Sequence, residues 1–184
     1  MCLEAGITII CSDEIVRGGL RKLYLINKDA VTTFTPGVLQ DYTAVSVGST
    51  GASYEWHEFE FQDETGGLTE DQAINDNGSK PITTTVTATM PRQERVKALA
   101  LQALIDCCGV IAIVESFSGE AFVVGYDEVV KAFGTKGAVN GEIGPTLDDN
   151  NAYIMRLEGK QYELPRQYVG DIVTTGGVTV TFTA

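Results

Sequence analysis

His57 is the sole histidine of the chain, and it lies among glutamates in an alternating segment at residues 54–61. A catalytic histidine works with a nucleophile or a second acid–base group, and no Ser or Cys motif accompanies this one. The sequence also contains no Gly-x-Ser-x-Gly elbow, no Walker A loop and no Cys-x-x-Cys pair. We therefore interpret His57 as a surface or interface residue.

Acidic and amide residues cluster in two segments that resemble metal-binding loops. Asn75, Asn77 and Gly78 match part of a calcium loop, in which oxygen ligands alternate before a glycine. Ala73 stands where the first Asp of that loop should be, and no Glu closes it. We interpret this segment and residues 148–151 as solvated acidic loops, with weak calcium binding as the alternative. The sequence thus predicts no metal-binding residue.

Glu58 and Glu60 lie on one face of a strand, where two carboxylates would suit glycoside hydrolysis. Any β-protein this acidic contains such pairs, so we assign them no catalytic role. The sequence therefore predicts no catalytic residue, no cofactor-binding residue, no cofactor and no enzymatic activity.

Three aromatic residues suggest an alternative function. Tyr42, Tyr54 and Trp56 could form a stacking surface for a carbohydrate or another ligand. That hypothesis predicts a monomeric β-module in which ligand quenches the fluorescence of the sole tryptophan.

The composition limits the class of protein. The chain has 184 residues, with 13 Lys and Arg against 25 Asp and Glu, and a formal net charge of −12. This length predicts a single domain, residues 1–184. The acidic balance disfavours a nucleic-acid binder, which needs a basic face. No apolar run approaches the ~20 residues of a membrane span, and the N-terminus lacks a basic signal region. We expect no membrane partner and synthesis in a cytosol-like compartment.

Four cysteines are present, Cys2, Cys11, Cys107 and Cys108. Because a reducing compartment disfavours disulfides, we expect buried free thiols.

Short strands are predicted for most of the chain. Alternating or β-branched runs indicate strands at residues 7–11, 20–26, 30–34, 42–48, 54–61, 82–89, 110–115, 120–126, 152–157, 161–164 and 176–184. Residues 20–26 are typical of a strand buried on both faces. Within residues 54–61 the aromatic residues change face, which predicts a bulge or a change in the covered face. We expect this strand to meet a partner.

One helix is predicted at about residues 91–108, with Pro91 in its first turn and Gly109 after its end. Its expected buried face consists of Val96, Leu99, Ala103 and Cys107, with Ala100 and Leu104 beside it. Long loops are predicted at about residues 62–81 and 127–151, and a turn at residues 158–160. Together, these strands, loops and the helix predict a mainly β (α+β) fold, namely a β-barrel or β-sandwich with one flanking α-helix.

The order of elements in the C-terminal half resembles a known class. Residues 99–128, LALQALIDCCGVIAIVESFSGEAFVVGYDE, place a helix before a strand, a glycine turn and a strand that closes on Val124 and Gly125. Residues 153–159, YIMRLEG, add a unit of alternating aliphatic residues before a glycine. This arrangement resembles virion structural proteins of tailed bacteriophages, especially tail tube proteins and proteins of related rings.

The resemblance implies a structural protein of the virion that assembles with itself. Six copies would close a hexameric ring whose strands line a channel for DNA ejection. The implied partners are further copies, other phage tail or connector proteins, and genomic DNA that passes without specific binding. A net charge of −12 suits such a channel, because like charge repels phosphates. The implied location is the phage tail, after synthesis in the bacterial host cytoplasm. A head–tail connector, a tail terminator or a capsid decoration protein is an alternative within the same class.

Overall fold

The computed structural model describes residues 18–48, 54–76, 78–143 and 151–183. The strands are β1 (Leu20–Asn27), β2 (Val31–Pro36), β3 (Tyr42–Val47), β4 (His57–Phe59), β5 (Gly67–Gln72), β6 (Ile82–Pro91), β7 (Val110–Ser116), β8 (Ala121–Val124), β9 (Tyr126–Asp127), β10 (Lys131–Ala132), β11 (Lys136–Ile143), β12 (Asn151–Gln161), β13 (Asp171–Thr174) and β14 (Val178–Thr181). The helix α1 covers Arg95–Asp106, and a 3₁₀ turn covers Lys28–Ala30. The strand predicted at residues 7–11 lies outside the described residues.

A central antiparallel sheet, in the order β4-β1-β7-β8, is covered on both faces. Its strand β1 sends Tyr24 and Ile26 into one hydrophobic core and Leu23 and Leu25 into another. Successive side chains of a strand point to opposite faces, so a strand buried on both faces is apolar at successive positions. The prediction of such a strand at residues 20–26 is confirmed.

The first core lies under two ribbons, β2–β3 and β13–β14, and is rich in aromatic residues. The ring of Phe34 packs against Tyr42 and Tyr126, with ring centroids 5.1 and 4.7 Å apart. The ring of Tyr168 meets Phe182 edge-on at 5.7 Å. Such tilted and edge-on pairs add about 0.5–1.5 kcal/mol each beyond their buried area.

The second core lies between the central sheet and a four-stranded antiparallel sheet in the order β11-β12-β6-β5. Val86 of β6, with Met155 and Leu157 of β12, faces this core, while α1 adds Leu101 and Leu104. The fold is mainly β with one helix and is sandwich-like, as predicted, and the described strands form no closed barrel.

The change of face within residues 54–61 follows from this layering. Trp56 enters the first core, whereas Phe59 packs against the second. The pairing of β4 with β1 is regular, with Leu25 opposite His57 and Leu23 opposite Phe59. Of the two expected causes, a change in the covered face is therefore correct and a bulge is not.

The two long loops predicted from sequence are not structureless. Residues 62–81 contain β5, and residues 127–151 contain β10 and β11. The turn predicted at residues 158–160 is also wrong, because β12 continues to Gln161. Glycine-rich and polar segments have low β-propensity, but β6 and β12 offer them complete hydrogen-bonding ladders.

The helix is shorter than predicted and packs by another face. It begins at Arg95, and Pro91 is the last residue of β6. Val96 and Leu99, expected to be buried, are 77% and 62% exposed, while Leu101 and Leu104 are buried. The packed face is therefore rotated by about one residue, or about 100°, from the expected one.

Cys107 and Cys108 are free thiols, as predicted, but Cys107 is only half-buried and Cys108 is exposed. The thiol of Cys107 donates to Oδ1 of Asn27 at 3.0 Å, which links the end of α1 to β1. Cys2 and Cys11 lie outside the described residues. In the described part of the chain, no helix is long and apolar enough to cross a membrane.

Candidate functional site

His57 has a structural contact. Its Nδ1 pairs with Oγ1 of Thr175 at 2.9 Å, and the backbone N–H of Thr175 donates to the carbonyl of Trp56 at 2.9 Å. These bonds tie β4 to the turn between β13 and β14. They fix the position of β4, one of the two edge strands of the central sheet.

The aromatic stacking surface predicted from sequence is not formed. Tyr42 and Trp56 are 0% and 1% exposed, and only Tyr54 reaches the surface. Glu58, to which the sequence assigned no catalytic role, forms an ion pair with Lys22 at 2.8 Å. The stacking surface is absent because the central sheet is covered on both faces, so Tyr42 and Trp56 lie in the first core.

The described residues contain no group of three or more His, Cys, Asp or Glu that could hold a metal ion. The loop that resembled a calcium site is closed by its own hydrogen bonds. Asn75 Nδ2 donates to Oγ of Ser79 at 2.8 Å, and the N–H of Gly78 donates to the carbonyl of Asn75 at 2.8 Å. Asn77 and residues 148–150 of the other acidic segment lie outside the described residues.

Two buried tyrosines differ in whether their hydroxyl groups form a hydrogen bond. Burial raises the pKa of Tyr42 far above its usual value of 10, although Arg166, 5.3 Å from the ring centroid, acts in the opposite direction. Burial also raises the pKa of Tyr168 to about 12. The hydroxyl of Tyr168 donates to the carbonyl of Asp171 at 2.9 Å, whereas that of Tyr42 has no described hydrogen-bond partner.

Removing the Tyr42 hydroxyl is expected to stabilise the protein in alkaline solution. Because unfolded tyrosine ionises near pH 10 and buried Tyr42 does not, the free energy of unfolding must fall as pH rises above 10. Tyr42→Phe should reduce the decrease in the free energy of unfolding above pH 10. At pH 7 the free energy of unfolding of this variant should be unchanged or higher by up to about 1 kcal/mol. Tyr168→Phe should also reduce that decrease but cost about 1 kcal/mol at pH 7, since a hydrogen bond is lost. Denaturant unfolding at pH 7 and pH 11 measures both effects, and equal behaviour of the two variants would contradict this account.

Within the part of the chain that the structure describes, the sheet β11-β12-β6-β5 ends in two open edges. Among the described strands β5 pairs only with β6, and β11 only with β12. An unpaired edge exposes backbone N–H and C=O groups that can bind another strand. The outer face of this sheet is polar and includes Thr83, Thr85, Thr87, Thr89, Arg156, Glu158 and Lys160.

A groove of about 640 Å³ separates α1 from β4. Leu25, Met90 and Val110 line it, together with Ala100 and Ala103 of the helix. The exposed residues Val96 and Leu99 extend this apolar surface along the helix.

The turn between β2 and β3 carries two adjacent aliphatic side chains in solvent. Val38 is 98% exposed and Leu39 is 87% exposed. Turns usually contain Gly, Pro, Asn, Asp and Ser. The aliphatic pair Val38-Leu39 after Pro36-Gly37 is therefore an unusual feature of the sequence, and its importance was not recognised from sequence alone. No pattern in the sequence indicated the two open edges, because strand order is set by tertiary pairing.

No known protein family, curated protein sequence or solved structure matches the chain. The function is therefore inferred from the geometry of the sheet edges, the groove and the exposed turn.

Proposed function

We propose that the chain is a self-assembling structural protein of a bacteriophage virion, most like the tail tube subunit, which forms hexameric rings around a DNA-conducting channel. The observation that supports this most is the sheet β11-β12-β6-β5, whose edge strands β5 and β11 each have one partner among the described strands. A stable monomer normally shields such edges, whereas a ring pairs each edge with the next protomer.

The directions of the edge strands suit this pairing. The three pairings within the sheet are antiparallel, so β5 and β11 run in opposite directions. When copies are related by rotation about a ring axis, β11 of one copy therefore meets β5 of the next as an antiparallel neighbour. The contact is heterologous, and each protomer uses one edge of each kind.

Charge favours one register for this contact. Asp71 and Lys136 both lie on the outer face, at opposite edges of the sheet. We assume that the outer faces of the two neighbouring sheets are continuous. Pairing Gly67 of one copy with Asn140 of the next then places Asp71 of the first copy opposite Lys136 of the second. A shift by two residues would place Asp71 opposite Ala138 and leave both charges unpaired. Opposite charges across a strand pair contribute about 0.2–1 kcal/mol.

The outer face of this sheet would line the channel. It bears threonines and balanced charges, namely Lys136, Arg156 and Lys160 with Asp71, Glu142 and Glu158. A face without net positive charge gives phosphates no attraction, so DNA would pass without specific binding.

Reversing the charge of Lys136 is expected to weaken assembly. Lys136→Glu would place a carboxylate opposite Asp71 of the next copy, and repulsion there should raise the midpoint concentration of assembly by about three- to tenfold. The double variant D71K/K136E should restore it. Mass photometry across a concentration series measures the midpoints.

Lys160→Glu is the matched control, because it changes net charge equally on the inner strand β12 of the same face. It should leave the midpoint near that of the wild type. Equal effects of K136E and K160E, or no rescue by the double variant, would count against this ring contact.

A further inference from the structure

No described residue of the same protomer fills the groove between α1 and β4. Its helical wall contains Leu101, Leu104 and two alanines, and its other wall contains His57 and Phe59 of β4. The adjoining helix surface at Val96 and Leu99 is also uncovered. The sequence contains the full apolar face of an amphipathic helix, but the described residues of the protomer cover only part of it.

The exposed turn between β2 and β3 is held in a defined conformation by hydrogen bonds and presents two aliphatic side chains. The N–H of Gly37 donates to the carbonyl of Asp41 at 2.8 Å, and that of Leu39 donates to Oδ1 of Asp41 at 3.2 Å. These bonds hold Val38 and Leu39 at the tip of the hairpin. A turn that is ordered before binding loses little conformational entropy when it docks.

The two features lie on different layers of one protomer. The β2–β3 ribbon packs on the first core and α1 on the second, with the central sheet between them. Since Val38 is 98% exposed, the tip does not occupy its own groove. A second copy can supply it.

Charge also matches the tip to the groove. Asp41 is the acidic residue of the tip and has no described ion pair. Arg95 and Lys97 of α1 likewise have no described carboxylate partner, and Lys97 bonds only to the carbonyls of Pro91 and Arg92. The opposite wall carries Glu58, which is paired with Lys22, and Glu60, and both carboxylates would repel Asp41. When the tip is docked in the groove, the carboxylate of Asp41 would therefore face Arg95 and Lys97 of α1.

We propose that the α1–β4 groove binds the β2–β3 tip of a second copy, with Val38 and Leu39 inserted between the helix and the strand. This inference rests on the proposed function, for which it names a second contact between copies. Tip and groove are different surfaces, so the contact is heterologous and repeats from copy to copy.

Cross-linking between two single-cysteine-addition variants of the full chain tests the proposal. Leu39→Cys protein is mixed with Ala103→Cys protein under assembling conditions and treated with a short bismaleimide. Peptide mapping then identifies the link between position 39 and position 103. Because the two additions are on different molecules, a link between them joins two copies.

Val129→Cys replaces Leu39→Cys in the matched control, since Val129 is an exposed aliphatic residue in another turn. Docking should raise the yield of the tip–groove link roughly a hundredfold over this control, because docked groups meet at about millimolar effective concentration. A yield no higher than the control would overturn the proposal. Rings seen by microscopy together with that result would leave the proposed function standing, whereas a wild type that stays monomeric would overturn both.

Discussion

Replacing Trp56 with alanine is expected to lower the free energy of unfolding by about 3–5 kcal/mol, because a fully buried large side chain leaves a cavity. Trp56 is 1% exposed within the first core. Its backbone also holds the outer strand in place, since its carbonyl accepts the N–H of Thr175 at 2.9 Å. Circular dichroism during denaturant unfolding measures the loss without relying on tryptophan fluorescence.

Two further variants separate packing from surface chemistry. Trp56→Phe keeps most of the ring and removes an Nε1–H that has no described partner, so it should cost much less than alanine. Tyr54→Ala changes an exposed neighbour and should stay within about 0.5 kcal/mol of the wild type. A loss below about 1 kcal/mol for W56A would contradict the position of Trp56 in the core.

Gly170→Ala is expected to destabilise the chain by about 1–3 kcal/mol, the usual cost of overpacking. An added Cβ would overlap the carbonyl oxygen of Thr43 and lie 3.1 Å from its carbonyl carbon. The backbone there cannot yield easily, because the N–H of Val169 donates to the carbonyl of Tyr42 at 2.7 Å and the N–H of Phe182 to that of Gly170 at 2.9 Å. Thermal unfolding should report a lower midpoint.

Gly18→Ala is the control for that substitution. A Cβ at Gly18 would meet no atom within 4 Å, so the variant should match the wild type within about 0.5 kcal/mol. Equal stability of G170A and G18A would show that the segment after Tyr168 does not pack closely against β3.

The strands that form the cores could be predicted from sequence, whereas β5 and β11, the edge strands of the sheet β11-β12-β6-β5, could not. Leu20–Asn27, Ile82–Pro91 and Val110–Ser116 are rich in β-branched or apolar residues, and the patterns indicated all three. Gly67–Gln72 and Lys136–Ile143 are polar and contain glycine, so they were predicted as loops. Their strand conformation comes from pairing with β6 and β12, which no local pattern encodes.

The helix illustrates a second limit of sequence patterns. Apolar periodicity correctly indicated α1, but Val96 and Leu99 are exposed while Leu101 is buried. A helical pattern shows that a face is apolar and does not show what covers it. The open edges, the groove and the exposed turn likewise arise from tertiary arrangement, so the candidate assembly surfaces could not be found before the fold was known.

Negative-stain microscopy with mass photometry of the purified chain, across concentration and salt, tests self-assembly most directly. The proposed function predicts rings or tubes of uniform diameter, with masses at multiples of 19.7 kDa. A monomer at every concentration and salt would contradict it.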